Sequence, residues 1–104
     1  MGLDEYIFMR AKDKDAKILQ KLKGVDEDEQ VLYWRKDYFV MSFFEENFEM
    51  DNCKEIILTK QNLIDFKGFL ENSEEDYSED IKILTKYIEE TDFKRFEFFF
   101  YAWW

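Results

Sequence analysis

The one thiol of this sequence belongs to Cys53, and the chain contains no histidine to serve it as a base. A thiol reacts as its thiolate, so catalysis by Cys53 would require a neighbouring base or cation that lowers its pKa. Without histidine the commonest general base and the commonest zinc ligand are both missing, and a single cysteine cannot build a structural zinc site or an internal disulfide. Carboxylates are the other candidate donors. Asp26, Glu27, Asp28 and Glu29 form a run that superficially resembles a calcium loop. An EF-hand alternates its ligands and places glycine sixth, whereas these acids are consecutive and Val31 stands sixth. The run reads as a solvated connection whose charges repel one another, and neither metal nor cofactor is expected.

Recognition is the remaining chemistry. Tyr33 and Trp34 precede Arg35 and Lys36, a combination that interfaces favour, although aromatic residues are also ordinary core. The net charge is −10 and unevenly placed. Between Arg10 and Lys23 six cations face Asp13 and Asp15, a local +4 that leaves −14 for the rest. The acids gather in Asp26–Glu29, in Glu45–Asp51 with Glu45 and Glu46, and in Glu71–Asp80 with Glu74, Glu75 and Asp76. Such a surface repels phosphates, so direct nucleic-acid binding is not expected, and it suits a basic partner or serves solubility alone.

The elements that must position these residues are organised around Phe96–Trp104. As a strand it sends Phe96, Phe98, Phe100, Ala102 and Trp104 to one face and Phe99, Tyr101 and Trp103 to the other. A strand apolar on both faces reads as central, with helices as cover. Leu3–Met9 reads as its neighbour. Asp13 or Asp15 caps a basic helix with Ile18, Leu19 and Leu22 as its apolar stripe and Gly24 as its stop. Val31–Trp34 leads into a helix from about Arg35 to Phe48, striped by Val40, Phe43, Phe44 and Phe48. Glu55–Leu58 is a short strand. Thr59 caps the next helix, with Leu63, Phe66, Phe69 and Leu70 on one face. After a polar break at Asn72–Asp76, Tyr77, Ile81, Leu84 and Ile88 mark a last helix with acids in its first turn. The expected fold is a single α+β domain over residues 1–104. It has a sheet of about three strands, its N- and C-terminal strands adjacent, packed against three to four helices. At 46% hydrophobic residues the chain is too apolar for disorder. It has no run long enough to span a membrane and no signal-peptide pattern, so no membrane partner is expected.

Met1-Gly2-Leu3-Asp4-Glu5-Tyr6, the Tyr33-Trp34-Arg35-Lys36 segment, Asp51-Asn52-Cys53 before a strand-Thr-helix unit, and an aromatic strand ending in Trp104 resemble, in order and spacing, a group of small phage and prophage proteins. The resemblance implies a phage origin and an α+β fold, and no particular reaction. The chain departs from the group at Met41, where members often carry His, at Asn72–Asp76, where they carry Phe-Phe-Gly, and at Trp103-Trp104, where they end in Ser-Trp. Gly2, Leu3, Asp4, Tyr33, Trp34, Arg35, Lys36, Asn52 and Cys53 are the positions carried over as a common cluster. Arg35, Lys36 and Asp4 would then be the partners of Cys53 in a small enzyme. The structural alternative has Asp4 pairing with Arg35 or Lys36, Asn52 capping a turn, and Cys53 buried as a small hydrophobe. The reading favoured by charge and resemblance together is a phage accessory protein without enzymatic activity. It would act in the host cytoplasm, inhibiting or modulating a host defence or nucleic-acid-handling protein that has a basic surface. Self-association as a homodimer is a further expectation.

Overall fold

The computed structural model describes residues 2–24 and 28–104. Its elements are β1 (Asp4–Ala11), α1 (Lys14–Leu22), β2 (Glu29–Arg35), α2 (Tyr38–Asn47), β3 (Ile56–Leu58), α3 (Lys60–Glu71), α4 (Ser78–Glu90) and β4 (Phe96–Trp103). The four strands make one antiparallel sheet in the order β2-β1-β4-β3, so the chain is α+β with the first and last strands side by side in the centre. Their register runs from Asp4 opposite Trp103 to Ala11 opposite Phe96.

One face of the sheet carries the core. Ile7, Leu32, Trp34, Ile56, Leu58, Phe98, Phe100 and Ala102 point into it, and α2, α3 and α4 supply Phe44, Phe66 and Leu84 among others. Phe44 stacks on Phe100 with centroids 3.6 Å apart, and Trp34 meets Phe66 edge-on at 5.7 Å. Helices α1 and α3 begin where their caps stand. Asp13 accepts the Ala16 N–H at 2.8 Å. Thr59 and Asn62 form a reciprocal capping box, each side chain accepting the other's backbone N–H.

Three expectations are corrected. Val31–Trp34 does not lead into a helix that begins at Arg35; it belongs to a fourth strand, favoured by its β-branched and aromatic residues. The chain breaks after it because Lys36 adopts a left-handed backbone (φ 54°) and Asp37 then caps α2 by accepting the Val40 N–H.

The second correction concerns α1, whose buried residues are Ala16 and Gln20. Ile18 and Leu22 face outward, 55% and 79% exposed. Ala16 and Gln20, four apart, share a face with the smallest side chain of the helix, which lets its backbone approach closely.

Thirdly, among the described residues the far face of the sheet carries no ring contacts to the helices. The ring pairs that join helices to sheet, such as Trp34 with Phe66, Phe44 with Phe100 and Tyr87 with Phe98, are all on the core side. On the far side the aromatic side chains cover one another.

Candidate functional site

Strand alternation and register fix what that far face presents. Side chains at even positions of β1 share it with odd positions of β3, β4 and the end of β2, giving successive rows across the sheet, and a β-bulge in the β1–β2 pairing after Ile7 brings Gln30 opposite Phe8. Arg35, Asp4 and Trp103 form the first row; Tyr33, Tyr6 and Tyr101 the second. Gln30, Phe8, Phe99 and Ile57 form the third, and Arg10 and Glu97 the last. Tyr6 stands in the middle, its ring centroid 5.0 Å from Tyr33, 5.3 Å from Phe8 and 6.3 Å from Tyr101. Phe8 continues the stack onto Phe99 at 5.3 Å. Tyr33, Ile57 and Trp103 remain 43%, 46% and 51% exposed. A sheet face of this kind, open and ring-lined, is uncommon on a protein with no partner, because exposed apolar patches mark interaction sites.

Polar contacts hold the platform at both ends. The Tyr33 hydroxyl donates to Asp4 Oδ1 at 2.7 Å, which raises the tyrosine's pKa. Arg10 donates to Glu97 and to Glu55, each at 2.8 Å, and lies 4.6 Å above the Phe99 ring. Tyr101 also holds its proton more tightly than usual, first through a hydrogen bond with Cys53. Tyr33 and Tyr101 thus keep their hydroxyl protons. Tyr33 and Arg10 are held by partners in or next to the sheet itself.

A second feature lies at the other end of β1 from α1. Leu3, Met41, Met50 and Trp104 line a groove of about 530 Å³, with Lys36 and Glu45 among its polar residues. A second groove of about 600 Å³, between α1 and α4, mixes Lys23, Lys86 and Arg95 with Glu29, Glu90 and Asp92, charges that offset one another.

Beneath the sheet is a buried polar network. Glu5 is fully buried on the core face between Trp34 and Ala102 in the register. Its Oε1 accepts the Asp37 N–H at 2.8 Å, and its Oε2 has no hydrogen-bond partner. Burial, with Asp37 and Asp4 nearby, pushes its carboxyl up to about 7. Asp37 also accepts the Tyr77 hydroxyl at 2.8 Å, and Asp80 accepts the Trp34 indole N–H at 2.9 Å. Burial raises both Asp80 and Tyr77. The network ties the starts of α2 and α4 to the sheet, a structural task.

The residues singled out from sequence are scattered by the fold. Tyr33 is on the open face. Trp34 is 7% exposed and belongs to the core, so it offers no contact surface. Arg35 and Lys36 are exposed and lie beside the Gly2 backbone. Glu45 and Glu46 are exposed on α2, and Glu74, Glu75 and Asp76 are exposed between α3 and α4. These acids belong to the helical layer, across the sheet from Tyr33, so they do not share its surface. Asp28 is exposed and Glu29 half-buried at the start of β2, while Asp26 and Glu27 lie outside the described residues.

Among the described ion pairs Asp4 has none with Arg35 or Lys36; it takes the Tyr33 hydroxyl instead. Cys53 is not a buried hydrophobe but an exposed residue of a turn, with a left-handed backbone (φ 62°). Its N–H donates to the Ala102 carbonyl at 2.9 Å, and Asn52 Oδ1 accepts the Trp104 N–H at 2.9 Å, so the turn is pinned to β4.

Sequence reasoning missed Tyr6, Phe8, Tyr101 and Trp103 as one surface, although the two-residue period of the two central strands puts each pair on one face. It also missed Glu5, which that period puts between Leu3 and Ile7 on the core face. Among the described residues no group of three or more Cys, Asp or Glu is placed to hold a metal ion, and no helix is long and apolar enough to cross a membrane. Comparison with protein-family models, curated proteins and solved structures finds no match.

Proposed function

We propose that this chain is a small accessory protein that binds another protein and inhibits or redirects it, without chemistry of its own. The open aromatic face of the sheet is the observation that carries this reading. Tyr6, Tyr33, Tyr101 and Trp103 are residue types that dominate binding energy at interfaces, and here they are held in place by Asp4 and by one another. The charge of −10 supplies selectivity, steering the protein toward a partner with a basic surface and away from phosphate backbones. The resemblance to phage proteins supplies the setting. In it the partner is a host protein, a defence or nucleic-acid-handling factor, met in the host cytoplasm.

The alternative, a small enzyme using Cys53, has the thiol's exposure in its favour. Against it, the described partners of that thiol are Asn52 and Tyr101, neither a base nor a cation. Arg35 and Lys36 instead lie beside Gly2.

The test is retention of a host protein from lysate by the unaltered chain, by Tyr33→Ala and Trp103→Ala on the open face, and by charge reversal of Glu45, Glu46, Glu74 and Glu75 on the helical layer. Both alanine variants should weaken a retained partner by about tenfold or more, as expected of interface anchors. Charge reversal should lower the association rate and its salt dependence. Retention that ignores both alanine substitutions would remove the open face from the mechanism.

A further inference from the structure

The sheet face is not the only apolar surface left open. Ile18 and Leu22, one turn apart on α1, project outward with Lys14 and Lys21 on one flank and Asp15 on the other, and among the described residues both are left largely exposed. Leucine at 79% exposure on a nine-residue helix is a poor use of an apolar side chain unless something covers it.

The chain also presents a surface of matching character. The groove at the start of β1 has Leu3, Met41, Met50 and Trp104 as its apolar lining. Glu45 lies on it and exposed Glu49 and Asp51 flank Met50, with Lys36 the cation on the lining. Its volume of about 530 Å³ falls in the range of ~300–1,000 Å³ that binding pockets usually occupy. Methionine suits such a role, since its flexible thioether adapts to an incoming side chain.

We infer that the outward face of α1 docks in this groove on a second copy of the chain. Ile18 and Leu22 enter the apolar lining, and the flanking lysines meet Glu45, Glu49 and Asp51. Within one copy the contact cannot form, because α1 follows the end of β1 and the groove lies at its start, with the eight-residue strand between them. With Asp15 counted against Lys14 and Lys21, and Lys36 against Glu45, Glu49 and Asp51, the helix face stays net positive and the groove net negative, so the local charges are complementary even though the two copies repel overall. That repulsion is largely screened at about 0.15 M ionic strength, where the Debye length is about 8 Å. This contact stands apart from the aromatic face and does not depend on the binding function proposed for it.

The experiment is sedimentation equilibrium at that ionic strength on three proteins: the unaltered chain, a helix variant (Ile18→Asp with Leu22→Asp) and a groove variant (Glu45→Lys with Glu49→Lys). All four positions are exposed, so folding should be kept, and a melting curve of each variant verifies it. The unaltered chain should rise above 12.9 kDa as concentration increases. Each variant alone should associate more weakly by roughly tenfold or more, the scale set by burying a leucine. An equimolar mixture should recover association, since the helix variant keeps an intact groove and the groove variant an intact helix. The inference is overturned if the unaltered chain stays at 12.9 kDa throughout, if either folded variant associates as the unaltered chain does, or if the mixture stays monomeric.

Discussion

Replacing Glu5 by Gln should remove most of an unusual pH dependence of stability. The Glu5 carboxyl titrates near 7 in the fold against 4.5 when free, because burial disfavours its charged form. Between those values the folded chain holds a proton that the unfolded chain has released, so stability falls as pH rises from about 4.5 to about 7 and levels off above. At ~1.36 kcal/mol per pKa step, the loss across that window is roughly 3 kcal/mol. Asp80, also raised by burial, adds a contribution of the same sign, whereas exposed Asp76, lowered by its bonds to Ser78, acts oppositely at more acidic pH. Urea unfolding followed by tryptophan fluorescence at intervals from pH 4.5 to 8.5 would read the slope directly. Gln keeps the oxygen that accepts the Asp37 N–H, but its amide nitrogen takes the place of Oε2, and an unpaired buried amide costs about 1–3 kcal/mol. The cleaner signature is therefore the flattened slope, not the absolute stability. A native protein whose stability stays constant or rises across this window would refute the reasoning, as would a Glu5→Gln variant that keeps the full slope.

Two contrasts test the packing. Phe44→Ala should cost about 3–5 kcal/mol, because the ring is fully buried against Phe100, while Trp103→Ala should cost no more than ~1–2 kcal/mol, because half of that side chain is already in water; thermal melts of the two variants decide it, and equal losses would mean that the open face is covered. Cys53, exposed on its turn, should react with a thiol reagent in the native protein nearly as fast as in denaturant; strong protection would contradict the turn's placement.

The reading of β4 as a central strand succeeded because its apolar residues on both faces allow few other positions in a sheet, and β1 was its natural neighbour. Two helix starts were legible from local caps: Asp13 and Thr59 bond to backbone N–H groups three residues on. The break between β2 and α2 was not legible. Tyr33-Trp34-Arg35-Lys36 runs into the helical stripe of Val40, Phe43 and Phe44 with neither Gly nor Pro between them. What ends the strand is a left-handed Lys36 and an Asp37 whose N–H is held by Glu5, 32 positions earlier in the chain. Such a contact leaves no local trace.

The open face was hidden for a related reason. Aromatic residues on the outer side of one strand imply cover, and the usual cover is a helix. Here it comes from neighbouring strands, through Tyr6 on Tyr33 and Phe8 on Phe99, and that depends on a register the sequence does not print. Cover by neighbouring rings differs from cover by a helix in one respect that matters for binding. A helix would bury the whole face, whereas neighbouring side chains bury Phe99 to 3% exposure and still leave Tyr33 and Trp103 about half exposed. The features that made the sequence look like an ordinary two-sided core strand are thus the same ones that give the folded chain its open aromatic face, the surface proposed to bind.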